Sequence, residues 1–360
     1  MSSSPSDIDV ASACGRLGFA FSGVCDAVPS ARSEQFQAWL RAGKHGSMEY
    51  LARNTELRTN PQLLLEGARS AIIVADLYAA RGTSGGPESA PPAAGKIARY
   101  ARGRDYHTVL KKRLHTLADE LRSVHPDAGF RTFVDTAPVH ERELAQLAGL
   151  GWIGKHTLLI HPKLGSYFLL GGILTTLRIP RSEPIVADHC GTCTRCIDAC
   201  PTDAISPYSV DASRCISYLT IENRAPIDPR FHESIGEWLY GCDICQEVCP
   251  HNSPRPSDAE VGRINADYAP RRDSLPLADV LGWNSDDRLA AFAGTAMTRA
   301  TLAMMKRNAV LVAANAIRNG CPEPHRSELL LRLAELSSDS TESPELTELA
   351  SFVLKRLRAE

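Results

Sequence analysis

Along the first half of the chain, hydrophobic positions repeat with two different periods. Ala71 to Tyr78 (A-I-I-V-A-D-L-Y) is a short, almost unbroken apolar run, the pattern of a buried strand. Tyr106 to Val124 repeats at helical spacing instead, with Val109, Leu110, Leu114, Leu117 and Leu121 on one stripe. Glu34 to Leu51 also follows the helical period. Arg131 to Val134 predicts a strand, followed by a helix from about Pro138, a residue suited to a first helical turn. Thr157 to Ile160 and Tyr167 to Leu174 predict two strands joined by His161-Pro162-Lys163-Leu164-Gly165. Arg81 to Gly95 is rich in Gly, Pro, Ser and Ala and predicts a surface loop. Mixed helix and strand up to about Pro180 predicts an α/β or α+β domain.

After about Glu183 the periodicity gives way to cysteines and turns, and beyond Pro256 the pattern predicts helices alone. Pro276 to Leu281, Ser285 to Phe292 and Met297 to Asn319 read as helices, and two more flank Ser337 to Ser343. Such short paired helices suit a HEAT-like repeat or an ordinary small bundle. The expected divisions are 1–180, 181–260 and 261–360. A chain of 360 residues with 43% hydrophobic content can build two or three cored domains.

Eight of the eleven cysteines fall between Cys190 and Cys249. Cys190, Cys193, Cys196 and Cys200 form C-x2-C-x2-C-x3-C-P, the ferredoxin signature for cubane clusters, in which the fourth cysteine serves the other cluster. Cys242, Cys245 and Cys249 form a second run one cysteine short, and Cys215 completes the set. Crossed wiring gives Cys190, Cys193, Cys196 and Cys249 to one [4Fe-4S] cluster and Cys200, Cys215, Cys242 and Cys245 to the other. Structural zinc is the alternative, although it more often uses two separated C-x2-C pairs. Disulfides are not expected of a domain this long with no secretory signal ahead of it. Cys14, Cys25 and Cys321 read as reduced packing residues.

A net charge of −2 gives no global attraction to nucleic acid. Locally, Lys96 to Arg122 carries eight basic residues against three acidic ones, with Tyr100 and Tyr106 interleaved. Arg299 to Arg318 carries Arg299, Lys306, Arg307 and Arg318 with no acid between them. Clustered cations suit phosphate binding, or are simply solvated helix faces. Lys111, Lys112, Arg113, Lys306 and Arg307 are the candidates for RNA contact. Met1 to Asp9 is polar and acidic, and the longest mostly apolar stretch, Tyr167 to Leu177, is too short to span a bilayer. A soluble cytoplasmic chain is expected. Asp135, in F-V-D-T-A-P-V at the end of a strand, is either a catalytic group or a helix-capping residue. It would serve as an acid at neutral pH only if burial raised its pKa. His107, His156, His161 and His189 are scattered. No phosphate-cradling glycine motif supports a dinucleotide or ATP site.

The whole chain resembles epoxyqueuosine reductase, a cobalamin-dependent iron–sulfur family. The matching stretches are R-Y-A-R-G-R-D-Y-H (99–107), F-V-D-T-A-P-V-H-E-R (133–142), A-G-L-G-W-I-G-K-H (148–156) and G-S-Y-F-L-L-G (165–171). They continue with the cysteine runs and with R-C-I-S-Y-L-T-I-E (214–222). The resemblance implies an α+β chain: a nitroreductase-like cobalamin domain, a ferredoxin-like two-cluster module and a HEAT-like helical end. It implies cob(II)alamin bound base-off beside Arg58, Ala98, Tyr100, Asp135, His156, Leu159, Leu170, Ser217, Cys242 and Asp243, with Asp135 as proton donor. The implied reaction is reductive deoxygenation of epoxyqueuosine to queuosine at the wobble position of tRNA. The implied partners are the anticodon stem-loop and an external electron donor of flavodoxin or ferredoxin type, with the chain a monomer and no membrane involved. A cobalamin and iron–sulfur reductive dehalogenase acting on a small halogenated molecule is the alternative enzyme, and an electron carrier without its own substrate is a third reading.

Overall fold

In the computed structural model, the described residues are 9–82, 91–183, 187–254 and 264–359. An antiparallel four-stranded sheet forms the first layer, in the order Phe21–Asp26, Ser70–Leu77, Phe168–Thr175, Phe130–Phe133. Ser70–Leu77 is buried along its whole length because both faces of the sheet are covered. Ile72 and Val74 point into the core with Leu110, Leu114 and Leu117 of the helix Tyr106–Val124. Ala71, Ile73, Ala75 and Leu77 point the other way, toward Leu144 and Ala145 of Glu141–Leu147. Strand alternation thus explains the continuous apolar run. Gly171 lets the long helix approach closely, since a Cβ there would stand 2.9 Å from Leu114 Cδ1. Each of the buried leucines contributes about 1.5–3 kcal/mol by leaving water, and Leu114→Ala would cost about 2–5 kcal/mol.

The helix expected over Glu34 to Leu51 is divided into Ser33–Arg41 and Glu49–Ala52. Gly43 and Gly46 adopt φ +67° and +59°, and a Cβ on Gly46 would lie 2.5 Å from the Tyr218 ring. The break docks Ser47 on Tyr218, whose hydroxyl accepts from Ser47 N at 2.7 Å. The helix after Asp135 starts at Glu141 rather than near Pro138. Residues 83–90 of the expected surface loop lie outside the described residues, and its end, Ala94–Ile97, is a strand.

That strand is the middle of a second sheet, parallel to Trp238–Tyr240 and antiparallel to Ser274–Pro276. Ser274–Pro276 departs from the expectation of helices alone after residue 256. One core then continues from Ile97, Leu219 and Tyr240 into Leu277–Gly282, Leu302–Arg318, His325–Ser338 and Pro344–Ala359. The helix expected from Met297 begins at Leu302, where Thr301 caps it by accepting from Met304 N at 3.2 Å. Ala296–Arg299 is a separate 3-10 turn. Among the described residues, no helix is long and apolar enough to cross a membrane.

Candidate functional site

The cysteine module is built on two short helices, Arg195–Asp198 and Ile244–Glu247, packed against each other. All eight of its cysteines are free of disulfides. Cys190, Cys193, Cys196 and Cys249 line one cavity with Lys155, His156, His189 and His251. Burial, then the charges of Cys190, Cys196 and Cys193, pushes the Cys249 thiol up to about 11. In the second group Cys245 is pushed well up by burial, then by Cys215, Asp243, Cys196 and Cys200. Cys242 is raised by burial, Cys245 and Cys215. Thiols so disfavoured as anions need nearby metal charge to ionise. Among the described residues, no three His, Cys, Asp or Glu side chains stand close enough to grip one metal ion. The first quartet surrounds a cavity rather than a point, which suits a cluster better than a zinc ion ~2.3 Å from each sulfur.

His156 adds a donor to this cavity. It is 3% exposed, and its Nδ1 accepts from Leu158 N at 3.2 Å, so the remaining proton belongs on Nε2. Nε2 is buried without a protein partner, and burial followed by the charge of Arg142 lowers the ring to about 4, keeping it neutral. A cluster sulfide or a polar cofactor side chain would satisfy that N–H.

Several residues implied for cobalamin converge beside the second quartet. Ala98, Ile216 and Trp238 pack together with Tyr100, Cys242 and Ile244, and Ser217 follows Ile216 in the helix Ile216–Ile221. Gly241, at φ +73°, permits this approach, since a Cβ there would lie 2.5 Å from Ala98 Cβ. Asp243 is buried and accepts from Arg99 N at 2.7 Å, and burial, opposed by that bond, pushes its carboxyl up to about 6. Leu159 and Leu170 belong to the core on the Glu141–Leu147 side of the sheet. Arg58 Nη2 donates to Tyr50 O at 3.3 Å, while its Nε is buried without a partner. Burial lowers the Arg58 pKa against the opposing pull of Tyr50 and Asp135. The cysteines suit cluster iron, and the unpartnered donors on Arg58 and His156 could each serve a polar group of a bound cofactor.

Asp135 stands just past Phe130–Phe133 with φ +40°, a left-handed backbone in which Asp is enriched among non-glycine residues. It caps no helix. Its amide donates to Glu141 Oε2 at 3.2 Å, and its Oδ2 is 3.0 Å from His107 Nε2. Burial pushes Asp135 up, but the bond to His107, its charge and the nearby Tyr106 hydroxyl together hold it below the usual carboxylate range. Burial also works against a charged His107, yet its bonds to Asp105 and Asp135 push it up to about 9. Burial and the Asp135 charge raise Glu141 to about 7. Thus the surroundings of Asp135 act opposite to the burial-raised carboxyl considered from sequence, and the proton resides beside it. Asp105, His107, Tyr106 and Glu141 are functional candidates that the sequence patterns did not single out. The available signal was D-Y-H at a helix start, where Asp105 is the N-cap.

The basic candidates divide, and three need correction. Arg113 lies on the inward stripe of its helix, forms an ion pair with the fully buried Asp76 and stacks 4.5 Å over Phe19. Lys306 is buried and paired with Glu342. Arg307 is buried and donates to Leu219 O, Asn223 O and Ala225 O at 2.7, 2.7 and 2.6 Å. These three side chains are consumed internally and offer no charge to RNA. Lys111 and Lys112 are exposed and remain available.

A family model described as a 4Fe-4S double cluster binding domain matches residues 189–252. A second, described as epoxyqueuosine reductase QueG, DUF1730, matches residues 58–136. Epoxyqueuosine reductase of Pseudomonas aeruginosa is 39% identical over 304 residues, covering 83% of this chain and 82% of the relative. That of Escherichia coli K12 is 38% identical over 303 residues, covering 83% and 78%. A crystal structure of epoxyqueuosine reductase with an epoxyqueuosine-modified tRNA-Tyr stem loop superposes with a TM-score of 0.85 at 28% identity, over 97% of this chain and 89% of the other. The Bacillus subtilis enzyme, solved with its catalytic-loop aspartate swung out of the active site, gives 0.83 at 27% identity over 97% and 89%.

Proposed function

The chain belongs to the epoxyqueuosine reductase family, and from that premise we propose that it reduces epoxyqueuosine to queuosine at the wobble position of tRNA. One observation carries the reading to this chain's own residues: Tyr100 belongs to both halves of the site. Its ring packs against the cluster of Ala98, Ile216 and Trp238, which Cys242 also packs against, and it meets Tyr106, 6.1 Å away, on the Asp135 side. In this reading electron supply and proton supply meet at Tyr100.

In this reading Cys190, Cys193, Cys196 and Cys249 hold one [4Fe-4S] cluster, and Cys200, Cys215, Cys242 and Cys245 hold the other. Arg58, Ala98, Tyr100, His156, Leu159, Leu170, Ser217, Cys242 and Asp243 form the cradle for cobalamin. When bound, cobalamin supplies the low-potential electrons that cleave the carbon–oxygen bonds. Asp135 touches the substrate oxygen and hands it a proton, while the left-handed turn and the Glu141 contact keep its carboxylate turned to the site. The electron donor is a small flavodoxin or ferredoxin, and the enzyme works as a cytoplasmic monomer. The three units, 1–180, 181–260 and 261–360, serve as cofactor domain, cluster module and HEAT-like support.

Anaerobically reduced enzyme, loaded with cobalamin, should convert an epoxyqueuosine-bearing anticodon stem-loop to its queuosine form, scored by nucleoside mass spectrometry. Asp135→Asn should retain iron and cobalamin while turnover falls by ~10²–10⁴-fold, the scale of general acid catalysis. Dehalogenation of small haloorganics with no conversion of the RNA would overturn the reading.

A further inference from the structure

His107 meets a carboxylate at each ring nitrogen: Nδ1 is 2.7 Å from Asp105 Oδ1 and Nε2 is 3.0 Å from Asp135 Oδ2. An ionised carboxylate only accepts, and a neutral imidazole donates from one nitrogen only. Both contacts can be hydrogen bonds only if the trio holds one proton more than two carboxylates and a neutral ring. We propose that His107 stores the proton that Asp135 delivers, with Asp105 as the residue that positions the ring. This inference rests on the proposed reduction and adds the source of its protons.

The surroundings are built for such a store. Asp105 is held by the helix start, since its Oδ1 accepts from His107 N at 3.0 Å and its own amide donates to Gly294 O at 2.8 Å. Tyr106 stacks on the ring with centroids 4.0 Å apart. The titratable and charged groups facing the trio are Tyr106 from the same helix, Glu141 and Arg142 from Glu141–Leu147, Tyr50 and Arg58 ahead of the first sheet's second strand, and Tyr100, Tyr240 and Tyr268. The His107 side chain is 33% exposed, enough to reload from water. Burial disfavours its charged form, but the two carboxylates outweigh that and raise it to about 9, so the store is filled at neutral pH.

Reduction of an epoxide to an alkene consumes two electrons and two protons and releases the oxygen as water. Two electrons, fed singly by a low-potential protein carrier, go to one ring carbon as its carbon–oxygen bond breaks. The bonding pair stays on oxygen, which takes a proton from Asp135 as Asp135 takes the Nε2 proton of His107. The electron-rich carbon then forms the double bond as the second carbon–oxygen bond breaks, and the departing hydroxide takes a second proton by the same route after His107 reloads.

The test is single turnover of pre-reduced, cobalamin-loaded enzyme on the epoxyqueuosine stem-loop between about pH 6 and 10. The wild-type rate should fall above about pH 9 as the store empties. His107→Gln should be slower by ~10²-fold at neutral pH, as expected when general acid supply is removed, and should lack that alkaline limb while retaining RNA affinity and cofactor content. Asp105→Asn removes an anion that favours the charged ring, so its limb should move to lower pH. Added imidazole should restore His107→Gly. The stability advantage of wild type over His107→Gln should be full below about pH 6.5 and lost as pH rises through about 9, since the folded value lies above the ordinary one. An unmoved limb in Asp105→Asn, or a His107→Gln rate and profile matching wild type, overturns the inference while wild-type turnover stands. Absence of wild-type turnover refutes the proposed function instead.

Discussion

Replacing Arg307 with alanine should destabilise the helical end and the module beside it without weakening the hold on RNA. Arg307 reaches from Leu302–Arg318 to carbonyls in and just beyond Ile216–Ile221, the helix that begins directly after Cys215. Its guanidinium serves Leu219 O, Asn223 O and Ala225 O, and also Asn308 Oδ1 at 2.9 Å. Its hydrogen-bond partners are all neutral acceptors, and burial lowers its pKa to about 10, still charged at neutral pH. Hydrogen bonds to a charged group are worth about 1.5–3 kcal/mol each, so removing the three carbonyl bonds amounts to roughly 4.5–9 kcal/mol. Removing the buried charge returns several kcal/mol of desolvation, leaving a net loss of about 3–5 kcal/mol.

If the 360 residues unfold as one unit, an unfolding entropy of ~2.1 cal/mol/K per residue turns that loss into a melting point lower by roughly 4–7 °C. Anaerobic thermal unfolding followed by circular dichroism measures it directly. Arg307→Lys keeps the charge but lacks the planar fork, and should fall between alanine and wild type. Iron retention should drop with stability, because the clamped helix carries Cys215 at its N-terminus. An Arg307→Ala protein that melts within 1 °C of wild type yet binds tRNA poorly would refute this reasoning and return Arg307 to the RNA surface.

The two remaining predictions concern the cysteine wiring and the RNA surface. Cys215→Ala should lower iron from about eight to about four atoms per chain, one cubane of the expected pair, and loss of both clusters from a folded protein would contradict the crossed assignment. Lys111→Ala with Lys112→Ala should leave melting unchanged and reduce the salt slope of tRNA binding by ~0.7–0.9 log units for each phosphate no longer neutralised; an unchanged slope would remove this helix from the RNA surface.

What sequence can disclose follows from how local each interaction is. Tyr106 to Val124 is readable end to end because its apolar stripe and its Asp105 cap both lie within the helix. Cysteine spacing is equally readable, since a cluster needs several thiolates from a short stretch. Arg113 is misjudged when a basic triplet is treated as one surface, although its helical position follows Tyr106 and Val109 on the buried side and its partner, Asp76, is on a distant strand. Lys306 and Arg307 mislead for another reason: Leu302–Arg318 is buried on nearly every face, so its charges had to find internal partners. The division at Gly43–Gly46 depends on Tyr218, which is distant in sequence. His107 looks incidental because the carboxylate that completes its environment is 28 residues away.

These long-range ties also explain how one segment keeps the cysteine module and the Asp135–His107 pair in register. Ala94–Ile97 lies beside Trp238–Tyr240, the strand leading into Cys242 and Asp243, and Arg99 N binds the Asp243 carboxylate. Arg102 then folds back, donating from Nε to Ile97 O at 2.8 Å and from Nη1 to Asp273 at 3.0 Å. Only a few residues later Asp105 starts the long helix and fixes His107 against Asp135. The segment is buried and bonded at both ends, so a shift of the cysteine module would strain the same backbone that sets the proton site. Rigid, short connections of this kind hold reacting groups at the sub-ångström tolerance that positioning effects require. The distance between the cysteine module and the Asp135–His107 pair is thus set by covalent chain length and backbone pairing, and it does not depend on an adjustable contact between separate bodies.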